Sequence, residues 1–139
     1  MNNVFRVVVV YIFANIIAGC AGPDRVTTIS SPTQGLFFTV ETFNGHGAVD
    51  SDFTRVYAHF EHNGKAQRIL VLDGENLTVA KIVWVGPREG TFCLEGGITD
   101  TFRNEVTLTA DDVSETIRNH LQEDCSKDSS ASATAVGRN

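Results

Sequence analysis

Three groups of residues have types and spacing that could do chemistry. His59, Glu61 and His62 are metal-ligating types. On an extended strand, however, positions 59 and 61 share a face while 62 points the other way, so the two imidazoles do not converge on one ion without a bulge. Asp50 and Asp52, with His46 nearby, form a carboxylate pair of the kind that does acid–base work when its two environments differ. Carboxylates are also what a solvated turn ordinarily contains, and a solvated turn is expected here. No serine stands in a Gly-x-Ser-x-Gly elbow and no glycine-rich phosphate loop is present. The expectation is a non-catalytic protein that uses neither a cofactor nor a metal ion.

The cysteines carry a more specific signal. The chain opens with Met1-Asn-Asn-Val-Phe-Arg6, continues as an apolar run from Val7 to Ala14, and reaches Asn15-Ile-Ile-Ala-Gly19-Cys20. A basic n-region, an apolar h-region and small residues at a cleavage point are the anatomy of a secretory signal. A bilayer-spanning helix needs about 20 apolar residues, and this run is shorter and interrupted by Asn15. Ile17-Ala18-Gly19-Cys20 resembles the bacterial lipobox. That resemblance implies cleavage after residue 19 and a diacylglycerol on the Cys20 thiol, with the membrane as a partner through that lipid. Two signals of this kind anchor a protein stably, each buried CH2 contributing about 0.8 kcal/mol. Ala21 stands where an aspartate would resemble the inner-membrane retention signal, which favours the outer membrane, facing the periplasm.

With Cys20 assigned to lipid, Cys93 and Cys125 remain, and an oxidising envelope compartment favours a disulfide between them. Closing a loop of this length should stabilise the fold by roughly 3 to 4 kcal/mol in the chain-entropy picture. The whole chain holds 11 basic and 17 acidic side chains; loss of the leader removes Arg6 alone, so ten basic residues face seventeen acidic ones. An acidic chain without a Lys/Arg cluster argues against nucleic acid as a partner.

These residues need a scaffold. Residues 20–35 are small and polar, broken by Pro23 and Pro32, and read as a lipid anchor and tether. Residues 126–139 are rich in Ser and Ala and read as a disordered tail. Between them, residues 36–125 read as one antiparallel β domain. Leu36 to Phe43 is aromatic and β-branched. Phe53 to His62 and Gln67 to Leu72 flank Asn63-Gly64, the strongest short hairpin signal. Leu77 to Val85, Thr91 to Glu95 and Asn104 to Thr109 follow, separated by Gly, Asn and Pro turns. Val113, Ile117 and Leu121 recur every four residues after the acidic Asp111-Asp112, which predicts a C-terminal helix over 111–124.

The expected fold is mainly β: an antiparallel sandwich or small partly open barrel of about six to seven strands, with one helix. Most aromatics are expected in its core. Phe37 and Phe43 share the face of the first strand opposite Leu36, Phe38 and Val40, and are the expected partner surface, with strand addition open to them if that strand is an edge. The expected function is a lipid-anchored binding or assembly module for another envelope protein or a secretion- or conjugation-type machine. A small-ligand-binding or hydrolase-inhibiting lipoprotein is the alternative. Asn76-Leu77-Thr78 matches a glycosylation sequon and is read as a turn.

Overall fold

The computed structural model describes residues 22–45, 51–122 and 125. It is mainly β and sandwich-like. Among the described residues nine strands form two sheets: β1 (Arg25–Ser30), β2 (Leu36–Phe43), β3 (Phe53–His62), β4 (Lys65–Glu75), β5 (Thr78–Gly86), β6 (Glu89–Glu95), β7 (Ile98–Phe102), β8 (Glu105–Ala110) and β9 (Val113–Gln122). The five-stranded sheet runs β1-β2-β3-β4-β7 and the four-stranded sheet β5-β6-β9-β8.

The Asn63-Gly64 hairpin forms as its sequence predicts: His62 pairs with Lys65, and φ is 49° at Asn63 and 74° at Gly64. Both signs are what a type I′ turn requires. Burial alternates along β3, with Thr54, Val56, Ala58 and Phe60 inside. The same alternation on β2 sends Leu36 and Phe38 into a core shared with Leu72, Phe92, Leu108 and Ile117. Phe38 stacks on Trp84 at 4.4 Å and meets Phe92 edge-on at 4.9 Å, so aromatic contacts join the two sheets. Gly90 makes room for them, because a Cβ there would stand 2.8 Å from the Phe38 ring.

Four expectations are corrected. The segment expected to be helical is the strand β9 as far as Gln122; of the remainder, residues 123 and 124 lie outside the described residues. A four-residue repeat is also a multiple of two, so Val113, Ile117 and Leu121 fall on one face of a strand as readily as on one stripe of a helix. Val113, Thr116 and Ile117 are β-branched and favour the strand. Asp111 and Asp112, with φ of 49° and 64°, turn the chain back from β8 instead of opening a helix. Thr107 and Thr116, then Thr109 and Ser114, join hydroxyls across the resulting hairpin at 2.9 and 2.8 Å.

Second, the four-stranded sheet is not wholly antiparallel, because β9 lies parallel to β6 from Glu89↔Arg118 to Cys93↔Gln122. Third, the segment read as tether contains β1, which pairs with β2 in register from Arg25↔Thr42 to Ser30↔Phe37. Val26, Thr27, Thr28 and Ile29 are β-branched, and Pro32 falls in the connection that follows, where it breaks no ladder. Fourth, β1, β7 and β9 bring the strand number among the described residues to nine, above the six to seven expected.

Candidate functional site

Alternation on β2 and β3 builds the outer face of the five-stranded sheet. Phe37, Thr39, Glu41 and Phe43 point outward from β2, opposite His59, Tyr57, Arg55 and Phe53 of β3. Phe37, Phe43, Phe53, Tyr57 and His59 are all half-buried. The four-stranded sheet packs on the other face, so no described strand lies over this one.

The face is organised as three contacts across strands. Phe37 stacks on His59 with ring centres 4.6 Å apart and planes 9° apart, and His59 Nε2 shares a 2.7 Å hydrogen bond with Thr39 Oγ1. The Arg68 guanidinium of β4 lies 4.4 Å from the centre of the Tyr57 ring while its Nη1 donates to Glu41 Oε1 at 3.2 Å. Arg55 stands over both Phe53, at 4.9 Å, and Phe43, at 5.2 Å. Cation–π contacts at exposed sites contribute about 0.5–1 kcal/mol each. They link the charged and aromatic groups across β2, β3 and β4. Burial, and after it the Arg68 charge, push the His59 pKa below its ordinary value of 6.5, with Glu41 and Glu61 opposing. Such a surface combines apolar rings with fixed charges, the chemistry of a binding face.

Phe37 and Phe43 therefore do share one face, at opposite ends of β2, about 20 Å apart. β2 is not an edge strand, since it lies between β1 and β3, and strand addition to it is closed. The reading from sequence missed Phe53, Arg55, Tyr57 and Arg68 as members of this surface. The strict alternation of β3 could have found the first three: Thr54, Val56, Ala58 and Phe60 claim the core, which leaves Phe53, Arg55 and Tyr57 outside; Arg68 joins them only through the pairing of β4 with β3.

The other candidates sit elsewhere. Cys93 and Cys125 are joined in a disulfide with Cα atoms 5.5 Å apart, tying the residue beyond β9 to β6. His62 stacks on Phe60 at 6.1 Å, away from His59. Asp52 serves its own loop, its carboxylate accepting from the Gly45 N–H at 3.0 Å and its carbonyl from the Asn76 N–H at 2.8 Å. Cys20, His46 and Asp50 lie outside the described residues. Among the described residues no three His, Cys, Asp or Glu side chains are grouped to hold a metal ion. A separate cleft of about 320 Å³ opens between β1 and β2 on one side and β5 on the other, with Ile29, Val40, Val79 and Ile82 as its apolar lining and Arg25 and Lys81 among its polar residues.

What these features define is a small two-sheet β domain with an aromatic sheet face. Comparison with family models, with curated proteins and with solved structures finds no match for the chain.

Proposed function

We propose that this chain is a bacterial lipoprotein, exported through its leader, anchored by a lipid on Cys20 to the envelope, most simply the outer membrane facing the periplasm. There it serves as a non-catalytic binding or assembly module for another envelope protein. The observation that carries the binding role is the outer face of the five-stranded sheet, where Phe37, Phe43, Phe53 and Tyr57 stand half-buried between Arg55, Arg68 and Glu41. Aromatic residues and arginine are the types that carry most binding energy at protein interfaces. The lipid supports the same role by keeping the domain where envelope partners are concentrated.

The test is crosslinking of the tagged lipoprotein in living cells, followed by identification of what is attached. A single reproducible envelope partner, lost in Phe37→Glu or Phe43→Glu at unchanged protein level, is the expected result. A partner retained in both variants would remove this face from the interface. Intact mass of membrane-derived protein tests the anchor, and an unmodified Cys20 would overturn it. The small-ligand reading has one observation in its favour, the cleft beside β1 and β5, whose volume lies at the low end of the ligand-pocket range.

A further inference from the structure

Asn-Gly occurs twice in the chain, at Asn44-Gly45 and at Asn63-Gly64. In such a pair the backbone nitrogen that follows the asparagine can attack the side-chain amide carbon and close a ring, and glycine leaves that nitrogen unshielded because it has no Cβ. The two pairs have different surroundings. Asn44 is held on both sides: its own N–H donates to Asp24 Oδ2 at 2.7 Å, and the Gly45 N–H, whose nitrogen would have to attack, donates to Asp52 Oδ1 at 3.0 Å. A carboxylate on that proton opposes its loss.

At Asn63-Gly64 the ladder closes at His62↔Lys65, so the two central N–H groups of the turn stand outside it. Both residues are exposed, and a Cβ built on Gly64 would meet nothing within 4 Å among the described residues. What holds the Asn63 amide is Asp111, in the turn between β8 and β9, whose Oδ2 accepts from Nδ2 at 2.9 Å. The side chain that can react is therefore one that joins the two sheets.

We propose that Asn63 is a site of spontaneous deamidation, and that the reaction cuts the tie between the two hairpin tips. The Gly64 nitrogen gives up its proton and bonds to Asn63 Cγ. The Cγ–Nδ2 bond breaks, and Nδ2 leaves with that proton as ammonia, which closes a succinimide ring. Water then opens the ring at Cγ, giving aspartate, or at the backbone carbonyl carbon, giving isoaspartate, in which the chain runs through Cγ. Water is the only co-reactant, so the step needs no enzyme and is independent of the assembly reading.

Either product replaces the Nδ2 donor with a carboxylate beside that of Asp111, with Lys65 Nζ, 3.1 Å from Asp111 Oδ1, as the nearby cation. Isoaspartate also adds one atom to the backbone of a two-residue turn whose length fixes the strand register. The reaction thus loosens one end of the sandwich as the molecule ages. The tie that it destroys also guards it, because an amide held on Asp111 is not free to swing its carbon onto the Gly64 nitrogen.

The full-length protein is incubated in warm, mildly alkaline buffer and digested with trypsin, which places Asn63 in the peptide of residues 56–65 and Asn44 in that of residues 26–55. The first peptide should gain the mass of an amide-to-acid conversion as an isoaspartate and aspartate pair resolved by chromatography, with Asn44 slower by about tenfold or more, since a charge-assisted hydrogen bond must break there. Asp111→Gly keeps a residue suited to positive φ and deletes the acceptor; it should speed the reaction at Asn63 roughly tenfold and leave Asn44 unchanged. Aged wild type and fresh Asn63→Asp should both melt below fresh wild type. Modification of Asn44 ahead of Asn63, aspartate without isoaspartate, or no mass gain in either peptide would overturn the assignment. An unchanged rate in Asp111→Gly would overturn the guarding role of the tie, and an unchanged melting temperature in aged protein its loss.

Discussion

Asn63 donates from Nδ2 to Asp111 Oδ2 at 2.9 Å, so the tip of the β3–β4 hairpin in one sheet is tied to the tip of the β8–β9 hairpin in the other. Lys65 Nζ adds an ion pair to the second oxygen, Oδ1, at 3.1 Å. Both Asn63 and Asp111 have φ of 49°, the conformation in which a short polar side chain costs least. Two turns of the same kind thus meet at one end of the sandwich and join its layers there.

This contact predicts an acid-sensitive component of stability. The Asn63 hydrogen bond, and after it Lys65, hold the Asp111 carboxyl below its ordinary pKa of 3.8, against a small opposing effect of burial. A depressed folded-state value means that the stabilisation is present above the unfolded value and is lost as pH falls through the folded one. Asp111→Asn should therefore lower the melting temperature near neutral pH and flatten its fall below about pH 4. Thermal melts of both proteins across that range check it, and parallel curves would remove Asp111 from the acid response.

Asp112 has φ of 64° as the second central residue of the β8–β9 turn. Glycine is the residue most at ease there, so Asp112→Gly should stabilise the protein, by less than about 1 kcal/mol because glycine also loosens the unfolded chain. In a domain of this size that raises the melting temperature by a few degrees. Were this position the first turn of a helix, glycine would destabilise it instead.

Reduction of Cys93–Cys125, or the Cys93→Ser/Cys125→Ser double variant, should cost about 3 to 4 kcal/mol through the freer unfolded chain. The far-ultraviolet β signal should persist, because the bond ties the residue beyond β9 to β6 and holds no strand within a sheet. An unchanged melting temperature after complete reduction would deny the bond a structural role.

Gly90→Ala places a methyl group 2.8 Å from the Phe38 ring at its stack with Trp84. Overpacking of this kind costs about 1–3 kcal/mol. Denaturant unfolding should show a lower midpoint with an unchanged slope, together with altered Trp84 fluorescence.

The lowered pKa of His59 makes a second pH-dependent component. Burial, followed by Arg68, disfavours the imidazolium in the folded state, so its stabilisation is present above the unfolded value near 6.5 and is lost as pH falls below it. His59→Phe keeps a ring against Phe37 and removes the titration. Its melting temperature should fall less than that of the wild type between pH 7.5 and 5.

From the residues alone, the β class, the Asn63-Gly64 hairpin, the pairing of Cys93 with Cys125 and the shared face of Phe37 and Phe43 could be read. Each follows from local chemistry: a period of two, a turn that needs positive φ, two thiols left to pair. Tertiary structure decided what local chemistry leaves degenerate. Val113, Ile117 and Leu121 satisfy both a helix and a strand, and the choice fell to the partners that β9 finds in β8 and β6. Residues 25–30 carry four β-branched side chains but no buried face, so they read as a tether beside Pro23 and Pro32 and become a strand by pairing with β2. Which aromatics stay outside depends on which face the second sheet covers. That face was settled only when β5, β6, β8 and β9 packed on Phe38, Val56 and Leu72, leaving Phe37, Phe43, Phe53 and Tyr57 on the open side.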